Sequence, residues 1–223
     1  MHKKRPPLTM KQVQDAINRR VSDVDKEFRA GLEFIAKYPK SVSFFGSSKL
    51  GQQDRYCEKA EHLAKRISSE LGYAVATGGG EGIMESANKG AYEAGGPSLG
   101  ILIELPQGQK TNQYLTDFMD FKFFFNRKVA LSFSAEAYIF FPGGYGTMDE
   151  FFEIVTLVQT KKIPKTPIIC VGEDYWNSLK ATIKDLMVEK NQAINKEDLD
   201  LFLITDDEEK IIEIIRNAPL RRE

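Results

Sequence analysis

Three short apolar segments of this chain run directly into loops of glycine or small polar residues, and a helical pattern follows each loop. The strand-like segments are 41–45, 73–76 and 137–141, and their loops are 46–48, 78–82 and 143–146. Further strands are predicted at 98–103, 167–171 and 201–204. Because these segments are apolar runs rather than strict alternations, they are typical of parallel strands buried on both faces. The pattern predicts an α/β fold with a doubly wound, mainly parallel sheet.

An additional helix is predicted ahead of the first strand. Its apolar residues, from Met10 to Ile35, recur in steps of three and four, and Thr9 is suited to cap it. We expect a flexible arm over 1–8, this helix over 9–38 and one Rossmann-like domain over 39–218. The apolar stripe can pack on the sheet or against a partner subunit, and packing on the sheet is the preferred interpretation.

Composition narrows the kind of ligand. The 31 basic and 32 acidic residues give a net charge of −1, which provides no broad field for a nucleic acid polymer or a membrane surface. No apolar run approaches the length that crosses a bilayer, and no apolar segment follows the basic Lys3 to Arg5 as in a secretory signal. We therefore predict a cytoplasmic protein with a small-molecule ligand.

The sequence gives no indication of a cofactor or a metal ion. The two cysteines, Cys57 and Cys170, lie in apolar patterns and are interpreted as packing residues. The two histidines lie apart, at positions 2 and 62, so no His/Cys cluster has metal-ligand spacing. We expect neither a cofactor nor a metal.

The loop after the third of these strands is the best candidate for binding an anion. Gly143, Gly144 and Gly146 leave backbone N–H groups accessible where a strand meets a helix N-terminus, with Tyr145 and Thr147 beside them. The glycines could simply permit a tight turn. Three of them within four positions favour a phosphate or similar oxyanion.

The loops after the first two strands are predicted to converge on the same place, because ligands of doubly wound sheets bind at the carboxyl ends of strands. Glu81 and Glu85 would repel a nearby phosphate, so the second loop could face the sugar or base instead. Neither a G-x-G-x-x-G nor a P-loop pattern is present, which disfavours dinucleotide oxidoreductases and P-loop NTPases. The residues predicted to bind substrate here are Gly46, Ser47, Gly79, Gly80, Gly82, Met84 and Glu85.

Glu150 has two interpretations. Thr147 followed by Glu150 matches a capping box, in which the glutamate would only satisfy a backbone donor. The same position also places a carboxylate at the mouth of the anion loop, where it could contact a ribose or stabilise a developing cation.

Arg127 and Lys128 lie at a predicted helix start, with Asn126 as its cap. The helix dipole disfavours cations there, so these residues are candidates for binding a phosphate or carboxylate, and Arg127 is the better one. They could also be ordinary solvated charges. Before them, the polar stretch 104–120 is long enough for an active-site loop.

Combined, these motifs resemble the LONELY GUY (LOG) family. Residues 142–150, Pro-Gly-Gly-Tyr-Gly-Thr-Met-Asp-Glu, are similar to the family signature P-G-G-x-G-T-x-x-E, and Arg127-Lys128 is similar to its upstream Arg-Lys element. Residues 78–84, Gly-Gly-Gly-Glu-Gly-Ile-Met, resemble its glycine loop. The resemblance extends from about residue 41 to residue 207. Similar sequences also carry the older label lysine decarboxylase, but nothing in this chain resembles a pyridoxal-phosphate lysine site.

The resemblance implies a homodimer or higher homo-oligomer that hydrolyses cytokinin riboside 5′-monophosphates or AMP-like nucleotides to free base and ribose 5-phosphate. It implies that Arg127 and Glu150 are catalytic, that residues 143–147 hold the phosphate, and that Lys128 and Thr156 contact substrate. Two alternatives stay open: a nucleotide or cofactor carrier without hydrolysis, and a ribosyl transferase.

The chain departs from bacterial relatives in one place. Residues 104–109, Glu-Leu-Pro-Gln-Gly-Gln, resemble an E-L-P-x-E-Q element but carry Gly108 in place of its second glutamate. If that carboxylate contacts substrate in the relatives, affinity or base preference differs here.

Overall fold

The computed structural model describes residues 9–105, 108 and 110–220, and these residues form one seven-stranded sheet with seven α-helices around it. All strand pairs are parallel. The predicted arm, 1–8, lies outside the described residues. The predicted fold class, a Rossmann-like doubly wound sheet, is confirmed.

Strands and helices alternate along most of the chain, except that α1 precedes the first strand and β3 is followed directly by β4. In chain order they are α1 Met10–Ala36, β1 Ser41–Phe45, α2 Arg55–Leu71, β2 Ala74–Thr77, α3 Ile83–Glu93, β3 Ser98–Ile103, β4 Asp117–Phe121, α4 Phe124–Ser132, β5 Ala137–Phe140, α5 Tyr145–Gln159, β6 Ile168–Cys170, α6 Glu173–Ile183, β7 Leu203–Ile204 and α7 Glu208–Arg216. A π-helical segment, Lys184–Lys190, continues α6, and a short 3₁₀ helix spans Lys196–Asp200.

The core consists of two layers, one on each face of the sheet. Alternate residues of a strand enter different layers: Val42 and Phe44 of β1 pack with α2, α3 and α7, whereas Phe45 packs with α4, α5 and α6. Every residue of β1 is buried, including Ser41 and Ser43, as in a parallel strand covered on both faces. Both cysteines are buried and free, as the packing interpretation predicts.

The order of strands in the sheet is β4-β3-β2-β1-β5-β6-β7. From β1 the chain winds outward in one direction through β2, and it later returns to the other side of β1 as β5. The connections on the two sides of the β1–β5 pair therefore run in opposite directions along the sheet. In doubly wound folds such a switch point opens a crevice at the carboxyl ends of the strands.

The first helix departs from expectation. Thr9 caps it in a capping box with Gln12, as its sequence suggests. Only its last turns are buried, at Gly31, Phe34 and Ile35, while Met10 is 84% exposed and Val21 63% exposed. Packing on the sheet therefore accounts for the C-terminal end of the stripe and not for the rest.

Three predicted boundaries are corrected. The polar stretch 104–120 contains most of β4, an edge strand whose exposed Phe118 and Asp120 hide the strand pattern. Asn126 is inside α4 rather than capping it, and its amide donates hydrogen bonds to the Val24 carbonyl and the Glu27 carboxylate of α1 at 3.1 and 2.8 Å. The helix predicted from 174 to 190 changes to π geometry after Ile183.

Within the described ranges, no helix is both long enough and apolar enough to cross a membrane.

Candidate active site

A cleft of about 630 Å³ opens at the carboxyl ends of the central strands. Its walls come from the loops that follow β1, β2 and β5, from the end of β3 and from α4. This volume is within the range of small-molecule sites. The sequence-predicted residues that line it are Gly46, Ser47, Gly80, Met84, Arg127, Gly144, Tyr145, Gly146, Thr147 and Glu150.

Hydrogen bonds join the three loops directly. The Ser47 N–H donates to the Pro142 carbonyl at 3.0 Å, and the Ile83 N–H donates to the Ser47 carbonyl at 3.1 Å. Gly82, at φ +68°, lies so close to Ser47 that any Cβ atom would overlap the Ser47 carbonyl oxygen. The three loops therefore converge, and they meet through backbone atoms.

The N-terminus of α5 faces the cleft. Gly144 precedes the first helical residue, and no side chain caps the helix, so the amides of Tyr145, Gly146 and Thr147 are those that a helix leaves without an intrahelical acceptor. A Cβ atom at Gly144 or Gly146 would meet no protein atom within 4 Å. Packing therefore does not explain these two glycines, and they leave open space in front of a helix terminus suited to an anion.

The capping-box interpretation of Glu150 is wrong. The helix begins at Tyr145, so Thr147 is already inside it and Glu150 is one turn further on. The Thr147 side chain lies against Gly143, where it leaves no room for a Cβ atom. Glu150 therefore does not have the position from which a glutamate caps its own helix.

Glu150 is a buried carboxylic acid at the wall of the cleft. It is 7% exposed, and its Oε2 atom has no hydrogen-bond partner among the described residues. Burial raises the pKa of Glu150 to about 7, although the positive charges of Lys128 and Arg127 oppose this rise. Near neutral pH this group can therefore exist in either protonation state, as an acid–base catalyst requires.

Arg127 reaches the cleft from the first turns of α4. Its Nε–H donates to the Ile101 carbonyl at 2.8 Å, and a Cβ atom at Gly78 would lie 2.6 Å from its Nη2 atom. Burial lowers the pKa of the Arg127 guanidinium, and the charge of Glu150 opposes this change. Because Gly78 has no side chain, the Arg127 guanidinium fits against it. The Ile101 carbonyl of β3 orients the guanidinium.

Other predicted contacts are not in the cleft lining. Gly79, Gly82, Glu85 and Gly143 lie behind or beside it, and the first two have positive φ, which only glycine adopts easily. At Gly79 a Cβ atom would overlap the side chain of Leu102. These glycines shape the loops rather than face the cavity.

Lys128 and Thr156 line a neighbouring open cavity along α5 instead. The Lys128 Nζ lies 2.7 Å from Asp149 Oδ2 and 2.8 Å from Glu153 Oε2. Two carboxylates of α5 thus bind the ammonium, which does not line the main cleft.

The sequence interpretation missed the apolar wall of the cleft. Ile103 and Leu131 are buried, whereas Leu105 and Phe124 are 40% and 55% exposed. Side chains of this type also form cores, so sequence patterns do not distinguish them; only their place beside the glycine loops does. They give the cleft an apolar surface beside its polar loops.

A buried polar network fixes the connection between β3 and β4 to the second glycine loop. The Asn112 side-chain amide donates to the Gly80 carbonyl and to Asn88 Oδ1, both at 3.0 Å, while its backbone N–H donates to the Gly79 carbonyl at 3.0 Å. The Thr77 hydroxyl donates to Asn88 Oδ1 at 2.6 Å. These contacts hold the side of the cleft on which Leu105 lies.

Gly108 belongs to this connection, although Pro106, Gln107 and Gln109 lie outside the described residues. Its φ is +74°, its N–H donates to the Leu105 carbonyl at 2.8 Å, and it does not line the cleft. Glycine suits this left-handed conformation better than glutamate does.

The raised pKa of Glu150 predicts a dependence of stability on pH. A carboxyl group with a pKa of about 7 when folded and an ordinary value of 4.5 favours folding in its protonated form. That contribution is complete below pH 4.5 and is lost as pH rises through 7. Glu150→Gln should therefore be more stable than wild type by roughly 3 kcal/mol at pH 8 and about equal at pH 4.5.

Urea unfolding of both proteins at the two pH values measures this difference. Glu58→Gln, at an exposed position of α2, is the control for loss of a carboxylate. A Glu150→Gln variant that is no more stable than wild type at pH 8 would contradict the assignment of Glu150 as a strained, buried acid.

The all-parallel doubly wound sheet, with its cleft at the switch point, defines this chain as a Rossmann-like α/β protein. A family model described as "possible lysine decarboxylase" matches residues 84–215, more than half of the chain. The chain belongs to this family, which is the LOG family.

Proteins related to this chain by sequence are named as phosphoribohydrolases. Cytokinin riboside 5′-monophosphate phosphoribohydrolase LOG5 of Arabidopsis thaliana is 27% identical over 149 residues, which are 66% of this chain and 65% of that protein. The match thus spans slightly less than two thirds of that relative. The Rhodococcoides fascians enzyme with the corresponding name is 27% identical over 155 residues, 68% of this chain and 77% of that protein.

Solved structures of similar fold include molybdenum cofactor proteins. The molybdenum cofactor binding protein of Rippkaea orientalis has a TM-score of 0.56 at 20% identity, over 79% of this chain and 93% of that one. The molybdenum cofactor carrier protein of Chlamydomonas reinhardtii has a TM-score of 0.59 at 18% identity, over 80% and 97%. At these identities the likeness concerns the fold alone.

Proposed function

We propose that this protein hydrolyses the N-glycosidic bond of a nucleoside 5′-monophosphate, such as AMP or a cytokinin riboside 5′-monophosphate, and releases free base and ribose 5-phosphate. The observation that carries the proposal is the position of Glu150. An acid with a buried oxygen that has no hydrogen-bond partner in the described part of the chain lies in the same cleft as a helix N-terminus without a side-chain cap. Membership of the LOG family and the names of the relatives agree with it.

Each wall of the cleft has a role in this reaction. The amides at 145–147 bind the 5′-phosphate, since a helix N-terminus favours an anion. The apolar wall of Leu105 and Phe124 receives the base. The ribose then lies between them, beside Glu150 and Arg127.

Breaking the C1′–N bond builds positive charge on the ribose ring, while the electron pair of the bond leaves with the base. A carboxylate at Glu150 stabilises that charge, and it can accept a proton from the water that attacks C1′. The base takes up a proton as it leaves, so water is divided between the two products. The anchored phosphate and the guanidinium of Arg127 hold the ring in place.

Incubation of the purified protein with AMP and with isopentenyladenosine monophosphate tests the proposal. We expect free base and ribose 5-phosphate in equal amounts, measured by liquid chromatography. Adenosine, which lacks the phosphate, is the matched control and should react far more slowly.

Two other outcomes would overturn hydrolysis. Release of base only in the presence of a second acceptor would indicate a ribosyl transferase. Binding of nucleotide without release of base would indicate a carrier. Equilibrium dialysis measures this binding. The homodimer implied by the family resemblance stays a prediction, which sedimentation of the same preparation can test.

A further inference from the structure

Two consecutive cations of α4 lie on different sides of Glu150. Arg127 lines the main cleft, whereas Lys128 lines the neighbouring cavity, where its side chain is 19% exposed. The proposed hydrolysis takes place in the main cleft, which Lys128 does not line. A role for Lys128 therefore rests on that proposal only through Glu150.

Lys128 joins α4 to α5 through two ion pairs. Its ammonium contacts Asp149, the residue before Glu150, and Glu153, one turn later. Both distances are below 3 Å, and the Glu153 side chain is 27% exposed, so water screens this pair only partly. Without Lys128, the carboxylates of Asp149, Glu150 and Glu153 would lie within about one turn of α5. Arg127 would be the remaining cation of α4 beside them.

The charged groups around Glu150 act in opposite directions. Lys128 and Arg127 of α4 lower the pKa of Glu150, while Glu153 and Asp149 of its own helix raise it. Lys49, Glu81 and Lys110 line the same cleft from the loops after β1 and β2 and from the β3–β4 connection. Of these last three, Glu81 and Lys110 form an ion pair with each other at 2.8 Å.

We propose that Lys128 is a positioning residue that neutralises Asp149 and Glu153, which flank Glu150 on α5, and so balances the charge around the Glu150 carboxyl, rather than a residue that binds substrate. Its ammonium is held by Asp149, which lines both cavities, and by Glu153, which lines only the neighbouring cavity. A nucleotide in the cleft therefore meets Arg127 and Glu150 but not Lys128.

The test is a titration of Glu150 that does not depend on activity. Protein labelled with ¹³C at the glutamate carboxyl groups is titrated by NMR, and the Glu150 resonance is assigned by its absence from Glu150→Gln. For Lys128→Met we expect the midpoint about one pH unit higher than in wild type, because an opposite charge at close range lowers a carboxyl pKa by at least that much. Lys128→Arg should leave the midpoint unchanged.

Lys89→Met is the matched control. Lys89 is 25% exposed and joins α3 to α2 through Glu61 at 2.9 Å, so its loss also removes a half-buried ion pair between two helices. It should not move the midpoint. If Lys128→Met is poorly folded, Lys128→Gln provides a second neutral variant with a polar side chain.

An unchanged midpoint in the folded neutral variants would overturn the proposal. So would a KM for AMP that rises more than about tenfold in Lys128→Met without a shift of the midpoint, because that result would indicate a substrate contact. A wild-type protein that releases no base would contradict the proposed hydrolysis alone, since the titration can still be measured.

Discussion

Glu150→Gln is expected to reduce kcat for AMP hydrolysis by roughly 100-fold or more, with little change in KM. Glutamine keeps the size of the side chain but can neither carry the negative charge that opposes the ribose cation nor accept a proton from water. Since the buried Oε2 atom lacks a hydrogen-bond partner among the described residues, few protein contacts are lost in this variant. Steady-state kinetics at pH 7 measure the effect.

Asp149→Asn is the control for this experiment. Asp149 also lines the cleft, but its side chain is 63% exposed, and we expect no more than a few-fold change. A Glu150→Gln variant with a kcat within threefold of wild type would exclude Glu150 from catalysis and remove the main support for the hydrolase.

The pH dependence of kcat/KM then distinguishes two roles of Glu150, whose pKa is about 7. If the ionised form stabilises the ribose cation or activates water, the rate falls as pH decreases below 7. If the protonated form delivers a proton to the leaving base, the rate falls as pH rises above 7. Glu150→Gln should lose whichever limb is present.

Arg127→Ala is expected to lower kcat/KM by roughly 100-fold to 1000-fold. The substitution removes the guanidinium that lies against Gly78, and it leaves the Ile101 carbonyl without its 2.8 Å donor. Arg127→Lys keeps a positive charge but not the planar fork of donors, so an intermediate loss of about tenfold is expected.

Thermal unfolding separates this effect from a loss of structure. Arg216→Ala, at the end of α7 and outside the cleft lining, is the control for removal of an arginine. If Arg127→Ala remains folded and retains wild-type kcat/KM, Arg127 has a structural role only.

Much of this architecture could be predicted because its signals are local. The bounds of β1 and β3 agree with the predicted segments, since both strands lack charged residues, are buried throughout and end at a change of composition. The glycine loops indicated which strand ends meet, because parallel strands present their carboxyl ends at one edge. In contrast, β4 alternates exposed and buried residues at the sheet edge, and its polar residues look like those of a loop.

The site was less predictable, because its details depend on tertiary contacts. The local pattern of Thr147 and Glu150 permits a capping box, and only the start of α5 at Tyr145 excludes it. Likewise, the sequence favours Arg127 over Lys128 as a ligand of an anion but does not indicate that the two side chains line different cavities. The position of α5 separates them, because it presents Asp149 and Glu153 to one of the two alone.

The contact of Gly82 with the Ser47 carbonyl has a consequence for how ligand preference can diversify. The loops after β1 and β2 meet here through main-chain atoms, and any side chain at Gly82 would separate them. We therefore expect changes in ligand preference to arise at the rim, where Leu105 and Phe124 are partly exposed. A library that varies the rim and leaves these loops intact should yield folded proteins with altered choice of base.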